Sequence, residues 1–159
     1  MAGLQVVLVM VGKTRNAFLQ AGMAHYAKRL QFYHPLEFIT VREEKPGGGL
    51  TSEQIREREG VRILARLPKP GRVIALEAEG QQFTSLELAQ WLGELTQNAQ
   101  TPLIFVIGGH LGLAPAVSQT AQYHLSLSRL TFTHEMSRLI LLEQLYRAAT
   151  IRAGHPYHY

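Results

Sequence analysis

Short runs of consecutive apolar residues recur along the chain, and each is closed by glycine or by a polar segment. The run LQVVLVMVG at 4–12 is apolar almost throughout and ends in glycine, which is typical of a strand buried on both faces. The same kind of pattern predicts further strands at 36–41, 72–80, 101–109 and 123–128.

The segments between these runs predict helices. Asn16 can cap a helix that runs to about residue 32, and Ser52 precedes a segment of high helix propensity. Residues 43–50 hold a proline and three glycines, so we expect a mobile loop or lid there. Further helices are predicted at 85–98, about 114–121 and 135–151.

Alternation of apolar strands with helices predicts an α/β fold. We expect one domain over residues 1–159, with a mostly parallel sheet of five to six strands and helices on both faces. Ligands of open parallel sheets bind outside the carboxyl ends of the strands. Three predicted strand ends carry unusual polar chemistry, at 77–80, 108–112 and 129–134, so the pattern locates a pocket without naming its occupant.

Charge adds a mild preference for a polyanionic partner. The 159 residues hold 16 lysines and arginines against 12 aspartates and glutamates, a net charge of +4. The excess is uneven, because Lys13, Arg15, Lys28 and Arg29 crowd the first predicted helix and its approach.

Several classes of protein are excluded or disfavoured. No cysteine is present, which excludes a disulfide framework and thiolate chemistry. The apolar start is too short to span a bilayer and lacks the basic lead and cleavage site of a signal peptide, so we expect a cytoplasmic protein without a membrane partner.

The stretch IGGHLG at 107–112 carries three glycines after the fourth predicted strand. Glycine allows close approach of the backbone to a ligand, although a plain tight turn is the alternative. The spacing matches neither the dinucleotide nor the P-loop pattern. An α/β hydrolase would need a nucleophile motif such as GxSxG, which is absent.

The stretch LSLSRLTFTHE at 125–135 has two interpretations. It could be a strand followed by a helix that Thr133 or His134 caps. Alternatively, it is an irregular loop whose backbone binds an adenine and a ribose while Leu127, Leu130 and Phe132 cover the ring.

A long helix is predicted next. Its consecutive apolar residues 139–142 indicate a helix either central to the core or covered by a second subunit. Glu143 and Arg147 are spaced to form a surface ion pair. Arg138 follows His134 by about one turn, and the two could hold an anion or a polarised carbonyl.

The final residues GHPYHY at 154–159 carry two histidines and two tyrosines. They could be disordered. Alternatively, Gly154 ends the helix, Pro156 turns the chain, and the aromatic and imidazole groups return to the pocket mouth to stack on a flat substrate or move a proton.

Taken together, these segments resemble the SPOUT-class RNA methyltransferases, specifically the ribosomal RNA large-subunit methyltransferase H family. The resemblance covers essentially the whole chain and depends on motifs that occur in the family's order. They are VGK, HYAKRLQFY, EEK with REREGVRIL, IALEAEG, FVIGGHLGL, LSLSRLTF, EQLYRAATI and HPYH. Two positions depart from the family pattern, since His110 and Thr133 stand where proline is usual, and both can reshape a loop without removing its glycines.

The resemblance implies a fold, a cofactor and a substrate. The carboxyl third, roughly 101–159, would thread a trefoil knot, and the enzyme would be a homodimer without a metal. It would use S-adenosyl-L-methionine to methylate N3 of a pseudouridine in 23S rRNA, within assembled ribosomes. The implied cofactor-binding residues are Leu76, Gly108, Gly109, Leu127, Ser128, Arg129, Leu130, Thr131 and Phe132.

The chemistry needs an acceptor for the N3 proton and donors near the carbonyl oxygens of the base. His134 or His158 could accept the proton, Arg138 could stabilise the anion, and Tyr157 could stack on the base. The candidate phosphate contacts are Lys13, Arg15, Lys28 and Arg29, although a solvated helix surface explains each of them singly.

A second function from another class uses the same scaffold. A non-catalytic RNA- or ribosome-binding factor would keep the basic face, but it would have no use for the glycine loop or for the 125–132 loop. Stabilisation of the protein by S-adenosylmethionine would separate the two hypotheses.

Overall fold

The computed structural model describes residues 3–97 and 100–159. Five strands form one sheet in the order β2-β1-β4-β3-β5, and every neighbouring pair is parallel. The α/β class with a parallel sheet is therefore confirmed, with five strands in the described part of the chain. The strands are β1 (Val6–Val11), β2 (Leu36–Val41), β3 (Arg72–Gln81), β4 (Leu103–Ile107) and β5 (Tyr123–Leu125).

Helices cover both faces of the sheet, as predicted. Helices α1, α3 and α5 pack on one face, and α2 and α4 pack on the other. The helices are α1 (Ala17–Leu30), α2 (Ser52–Arg66), α3 (Ser85–Thr96), α4 (Pro115–Thr120) and α5 (His134–Ala153).

The helix ends follow local capping chemistry. The Asn16 side chain accepts a hydrogen bond from the Phe18 amide at 3.1 Å, which confirms the predicted cap of α1. Helix α2 begins at Ser52, and Thr51 caps it through a reciprocal pair of hydrogen bonds with Gln54. Gly154 ends α5 with a left-handed φ of 70°.

Strand β5 is shorter than predicted and ends at Leu125. The next residues satisfy their polar groups locally, because the Ser126 hydroxyl donates to the Ser128 carbonyl and the Ser128 hydroxyl accepts from the Leu130 amide. Such side-chain to backbone bonds compete with a strand ladder. Residues 126–133 are therefore an irregular segment, and Thr133 then caps α5.

The apolar run of α5 is largely explained within the chain. Leu141 and Leu142 are fully buried in the core that α5 forms with α1, α3 and the sheet. The run alone is thus no evidence for a second subunit. No described helix is long and apolar enough to cross a membrane. Strand order does not by itself establish a trefoil knot, which stays a prediction.

Candidate functional site

A cavity of about 980 Å³, the first cavity, opens at the carboxyl ends of β3, β4 and β5. Its walls come from residues 76–78 of β3, from residues 107–112 at the end of β4, from the irregular segment 126–133 after β5, and from the first turns of α1 and α5. Residues from the three polar segments predicted at strand ends, 77–80, 108–112 and 129–134, therefore line the same cavity. It lies at the edge where an open parallel sheet usually binds its ligand.

The glycine loop after β4 is both a tight turn and a wall of the first cavity. A Cβ on Gly108 would lie 2.7 Å from the backbone of Gly112, and Gly112 itself has a φ of +85°. The Gly112 amide donates to the Gly109 carbonyl at 3.0 Å and closes the turn. A side chain at Gly108 would thus require this wall to shift, and a side chain at Gly112 would strain the backbone because of its positive φ.

The irregular segment 126–133 supplies apolar side chains to the wall of the first cavity. Leu127 and Phe132 are half-buried, and Leu130 is 74% exposed at the cavity rim. Arg129 is exposed and does not line the cavity. The remaining implied cofactor residues do line it: Leu76, Gly108, Gly109, Leu127, Ser128, Leu130, Thr131 and Phe132.

Several lining residues were not among the site residues predicted from the sequence. Asn16 and Phe18 reach the cavity from the start of α1, and Glu77 reaches it from β3. The Glu77 carboxylate lies 2.7 Å from Nδ1 of His124 on the neighbouring strand, within hydrogen-bond distance. The residues at 77–80 were a signal for Glu77, whereas nothing local in the sequence shows that the start of α1 lines the same cavity as the end of β5.

His134 is a half-buried imidazole on the wall of the first cavity. Burial, and secondly the neighbouring charge of Arg138, lower the pKa of His134 below its usual value. The His110 ring lies 6.5 Å away across the same wall. His134 is therefore mostly neutral at neutral pH, the form that can accept a proton.

Arg138 does not face the first cavity. It is fully buried, and its guanidinium donates to the Val11 carbonyl at 2.6 Å and to the Thr14 hydroxyl at 2.7 Å. Because these contacts use its terminal nitrogens, the interpretation that Arg138 holds a substrate carbonyl does not match its placement. It anchors the segment between β1 and α1.

Glu135 anchors the same segment one turn earlier. Its carboxylate accepts hydrogen bonds from the Arg15 amide at 2.7 Å and the Asn16 amide at 3.3 Å. Burial by itself would raise the pKa of Glu135, but the hydrogen bonds from these amides and the neighbouring positive charges together lower it below its usual value. The first turns of α5 thus hold residues 11–16 near both ends, through Arg138 at Val11 and Thr14 and through Glu135 at the last two amides.

The tail does not return to the first cavity of its own chain. The Tyr157 hydroxyl donates to Glu143 at 3.0 Å, and the Arg147 guanidinium lies 4.8 Å from the Tyr157 ring centre. His158 lies 3.3 Å from Arg147, and His155 lies 2.6 Å from the Tyr33 hydroxyl. Burial, together with hydrogen bonds to neighbouring groups, raises the pKa of Tyr157.

The length of α5 explains this separation. Helix α5 has 20 residues and starts at the first cavity, so its far end lies about 30 Å away. Residues 154–158 can span at most about 17 Å when extended. A tail that leaves the far end of α5 therefore cannot reach the first cavity of the same chain.

The four candidate phosphate contacts separate into two groups. Lys13 and Arg15 line a second cavity beside the first, at the ends of β1 and β2. Lys28 and Arg29 are exposed in the last turn of α1, where Arg29 contacts His25. Within residues 3–97 and 100–159, no group of three or more metal-ligating side chains lies close enough to hold a metal ion.

Comparisons with known proteins first define a class. The family described as "Predicted SPOUT methyltransferase" matches residues 4–158. The solved SpoU methyltransferase AviRb from Streptomyces viridochromogenes, in complex with the cofactor AdoMet, has a TM-score of 0.50, with 98% of this chain and 60% of that chain covered at 14% identity. The fold is therefore of the SPOUT methyltransferase class.

Relatives of similar length identify the family within this class. Proteins named ribosomal RNA large subunit methyltransferase H are 43% identical in Geobacter metallireducens and 42% identical in Bacillus pumilus. Each match covers 98% of this chain and 99% of the relative. The chain belongs to the ribosomal RNA large subunit methyltransferase H family, and the resemblance drawn from its motifs is confirmed.

Proposed function

We propose that this protein transfers the methyl group of S-adenosyl-L-methionine to N3 of a pseudouridine in the 23S rRNA of assembled ribosomes. The observation that carries the proposal is the first cavity, which the strand ends and the irregular segment 126–133 form in a chain of this family. Names of relatives at 42–43% identity support an rRNA of the large subunit as the substrate.

The residues present fit the proposed cofactor. Half-buried Leu127 and Phe132 and exposed Leu130 offer an apolar surface for a flat adenine ring, next to backbone groups in the same irregular segment. Gly108 lines the same cavity with its backbone and no side chain. When bound, S-adenosylmethionine supplies an activated methyl group, so the chain itself must position the acceptor base and remove its proton.

His134 is the residue of this chain best placed to accept the N3 proton. It lines the first cavity, and its lowered pKa favours the neutral imidazole that can act as a base. N3 of pseudouridine lies between two carbonyl groups and becomes a good nucleophile only when its proton leaves. The imidazole would take this proton while the cavity walls hold the base in line.

The tail residues Tyr157 and His158 enter this proposal through a homodimer. Since the tail cannot span the length of α5, its groups can act at a first cavity only if a second subunit packs with its α5 reversed. Phe18, which is 62% exposed beside the cavity, offers apolar surface for such a contact. Tyr157 would then stack on the base, and His158 would be the alternative proton acceptor.

The remaining expectations belong to the same proposal. The segment 101–159 would thread the trefoil knot, which would hold the irregular segment 126–133 against the glycine loop. An rRNA substrate also fits a cytoplasmic protein.

The test is transfer of tritium from labelled S-adenosylmethionine to 70S ribosomes, followed by mapping of the modified nucleoside. The proposal predicts label in one pseudouridine of 23S rRNA as N3-methylpseudouridine. Thermal stabilisation of the free protein by the cofactor is measured in parallel. Ribosome binding without cofactor stabilisation or transfer would instead identify a non-catalytic binding factor.

A further inference from the structure

A second cavity of about 890 Å³ lies at the carboxyl ends of β1 and β2, next to the first. Three short segments form it: the turn after β1, the end of β2, and the loop that follows β2. Its lining residues are Gly12, Lys13, Arg15, Thr40, Val41, Arg42, Glu43, Glu44 and Lys45.

The carboxylates of this cavity are already paired. Glu43 forms an ion pair with Arg15. Glu44 forms ion pairs with Arg58 and Arg62 of α2, and these contacts, the hydrogen bond from Arg62 first, lower the pKa of Glu44. Both carboxylates therefore have cationic partners, and two of those partners stand outside the cavity.

Three cationic side chains of the second cavity have no carboxylate partner among the described residues. Within the part of the chain that the structure describes, Lys13, Arg42 and Lys45 have no carboxylate within ion-pair distance. All three are exposed. The second cavity therefore presents an excess of positive charge that this chain does not neutralise.

The backbone that carries these cations is held in place. The Arg42 carbonyl accepts from Arg62 at 3.0 Å, and the Glu44 amide donates at 3.0 Å to Glu59, which is buried beneath the loop. The Gly12 amide donates to the Val41 carbonyl at 2.8 Å and joins the two strand ends. The loop is thus fixed at its base by contacts to α2 and β1.

The two cavities adjoin each other along one edge of the sheet. Arg15 lines the second and its neighbour Asn16 lines the first. Their centres lie two to three strands apart in the sheet order, a separation of about 10–15 Å. That separation is within reach of the backbone of the nucleotides next to a base held in the first cavity.

We propose that the second cavity binds phosphates of the rRNA strand that flanks the target base, with Lys13, Arg42 and Lys45 as the contacting cations. This inference rests on the proposed function. Among the residues that the structure describes, none that lines the second cavity is aromatic, so they offer no ring on which a base could stack. Exposed cations around a concave surface instead suit a phosphate backbone, which positions the strand without reading its sequence.

The test compares two double variants that remove the same charge. Arg42→Gln/Lys45→Gln removes two cations of the second cavity. Arg66→Gln/Lys69→Gln removes two exposed cations near the amino ends of the strands, away from both cavities. Methyl transfer to 70S ribosomes gives KM, kcat and the dependence of kcat/KM on salt, and circular dichroism and thermal unfolding check the fold of each variant.

The Arg42→Gln/Lys45→Gln variant should have a KM about tenfold higher. In a plot of log(kcat/KM) against the logarithm of the salt concentration, its slope should be less steep by about two. Its kcat and its stabilisation by S-adenosylmethionine should equal those of the unmodified protein. The control variant should keep KM within about twofold. An unchanged KM in the cavity variant, or an equal rise in both variants, would overturn the inference.

Ribosome binding by sedimentation separates this inference from the proposed function. If the unmodified protein binds ribosomes but transfers no methyl group, the proposed function fails, and weaker binding of the cavity variant alone still supports the phosphate site. Equal binding of both variants would then overturn it. No binding by the unmodified protein would overturn both proposals.

Discussion

Arg138 of α5 donates a 2.6 Å hydrogen bond to the carbonyl of Val11 at the end of β1, 127 positions earlier in the chain. The same guanidinium reaches the Thr14 hydroxyl at 2.7 Å. This contact joins the helix that carries His134 to the segment that separates the two cavities. Arg138 is therefore a positioning residue in this structure.

Replacement of Arg138 should destabilise the protein before it affects any chemical step. Arg138→Ala would leave the buried Val11 carbonyl without its donor and open a cavity, at a cost of about 2–4 kcal/mol in the free energy of unfolding. Urea denaturation measures this loss. Arg129→Ala, which removes an exposed arginine, is the control and should change stability by less than about 0.5 kcal/mol. Full stability of Arg138→Ala with abolished methyl transfer would instead indicate a catalytic role.

The rate of methyl transfer should fall at acidic pH with the protonation of His134. Its pKa is below the ordinary histidine value, so the neutral base should persist at neutral pH and be lost only as the pH drops below about 6.5. His134→Ala should slow single-turnover transfer by about 10²–10⁴-fold and remove this acidic limb. A wild-type rate in this variant would exclude His134 as the base.

The free energy of unfolding should also depend on the protonation of His134. Because the pKa of His134 is lower in the folded state, the unfolded chain binds the proton more readily as the pH drops. Well above pH 6.5, the titration of His134 contributes nothing to the free energy of unfolding. It destabilises the protein as the pH falls from the pKa of His134 in the unfolded chain to its lower pKa in the folded protein. The difference in unfolding free energy between His134→Asn and the unmodified protein should therefore shift in favour of the variant over this window. Parallel pH profiles would contradict the assignment.

The glycine loop should be sensitive to a single methyl group. Gly108→Ala would place a Cβ 2.7 Å from the Gly112 backbone, so the wall of the first cavity must move. The unmodified protein should gain about 2.7 kcal/mol at a cofactor concentration one hundred times the dissociation constant, and the variant should lose most of this gain. Gly93→Ala is the matched control, because its Cβ would meet only the flexible Arg152 side chain at 3.3 Å. Equal stabilisation of both variants would place the cofactor elsewhere.

Mixed dimers can test how the tail contributes. His134→Ala and Tyr157→Ala should each lose most of their activity alone, because the first lacks the proposed base and the second lacks the ring that stacks on the target base. When the two variants are unfolded and refolded together, about a quarter of wild-type activity should return, because half of the dimers are mixed and each has one complete site. This result requires the tail to act in the cavity of the other subunit. No recovery would mean that each tail serves its own chain or that no dimer forms.

Much of the fold follows from short-range chemistry and was predictable. The apolar runs of β1 and β4 require burial on both faces, and they form central strands of the sheet. Asn16 and Gly154 act on backbone groups a few residues away, so the ends of α1 and α5 depend on local sequence. The strand ends that carry polar residues also placed the first cavity, because parallel strands end at one edge.

The orientation of side chains within that frame depended on contacts between distant segments. Arg138 and His134 are one turn apart on α5, yet one is buried against β1 and the other faces the first cavity. No local pattern shows that a 30 Å helix keeps Tyr157 away from the cavity, or that paired carboxylates leave Lys45 unneutralised. The sequence by itself determined the helices and strands and the edge of the sheet at which the first cavity lies, because these depend on hydrophobic periodicity and helix capping. Only the tertiary structure decided which charged groups reach that edge, because this depends on packing across more than a hundred residues.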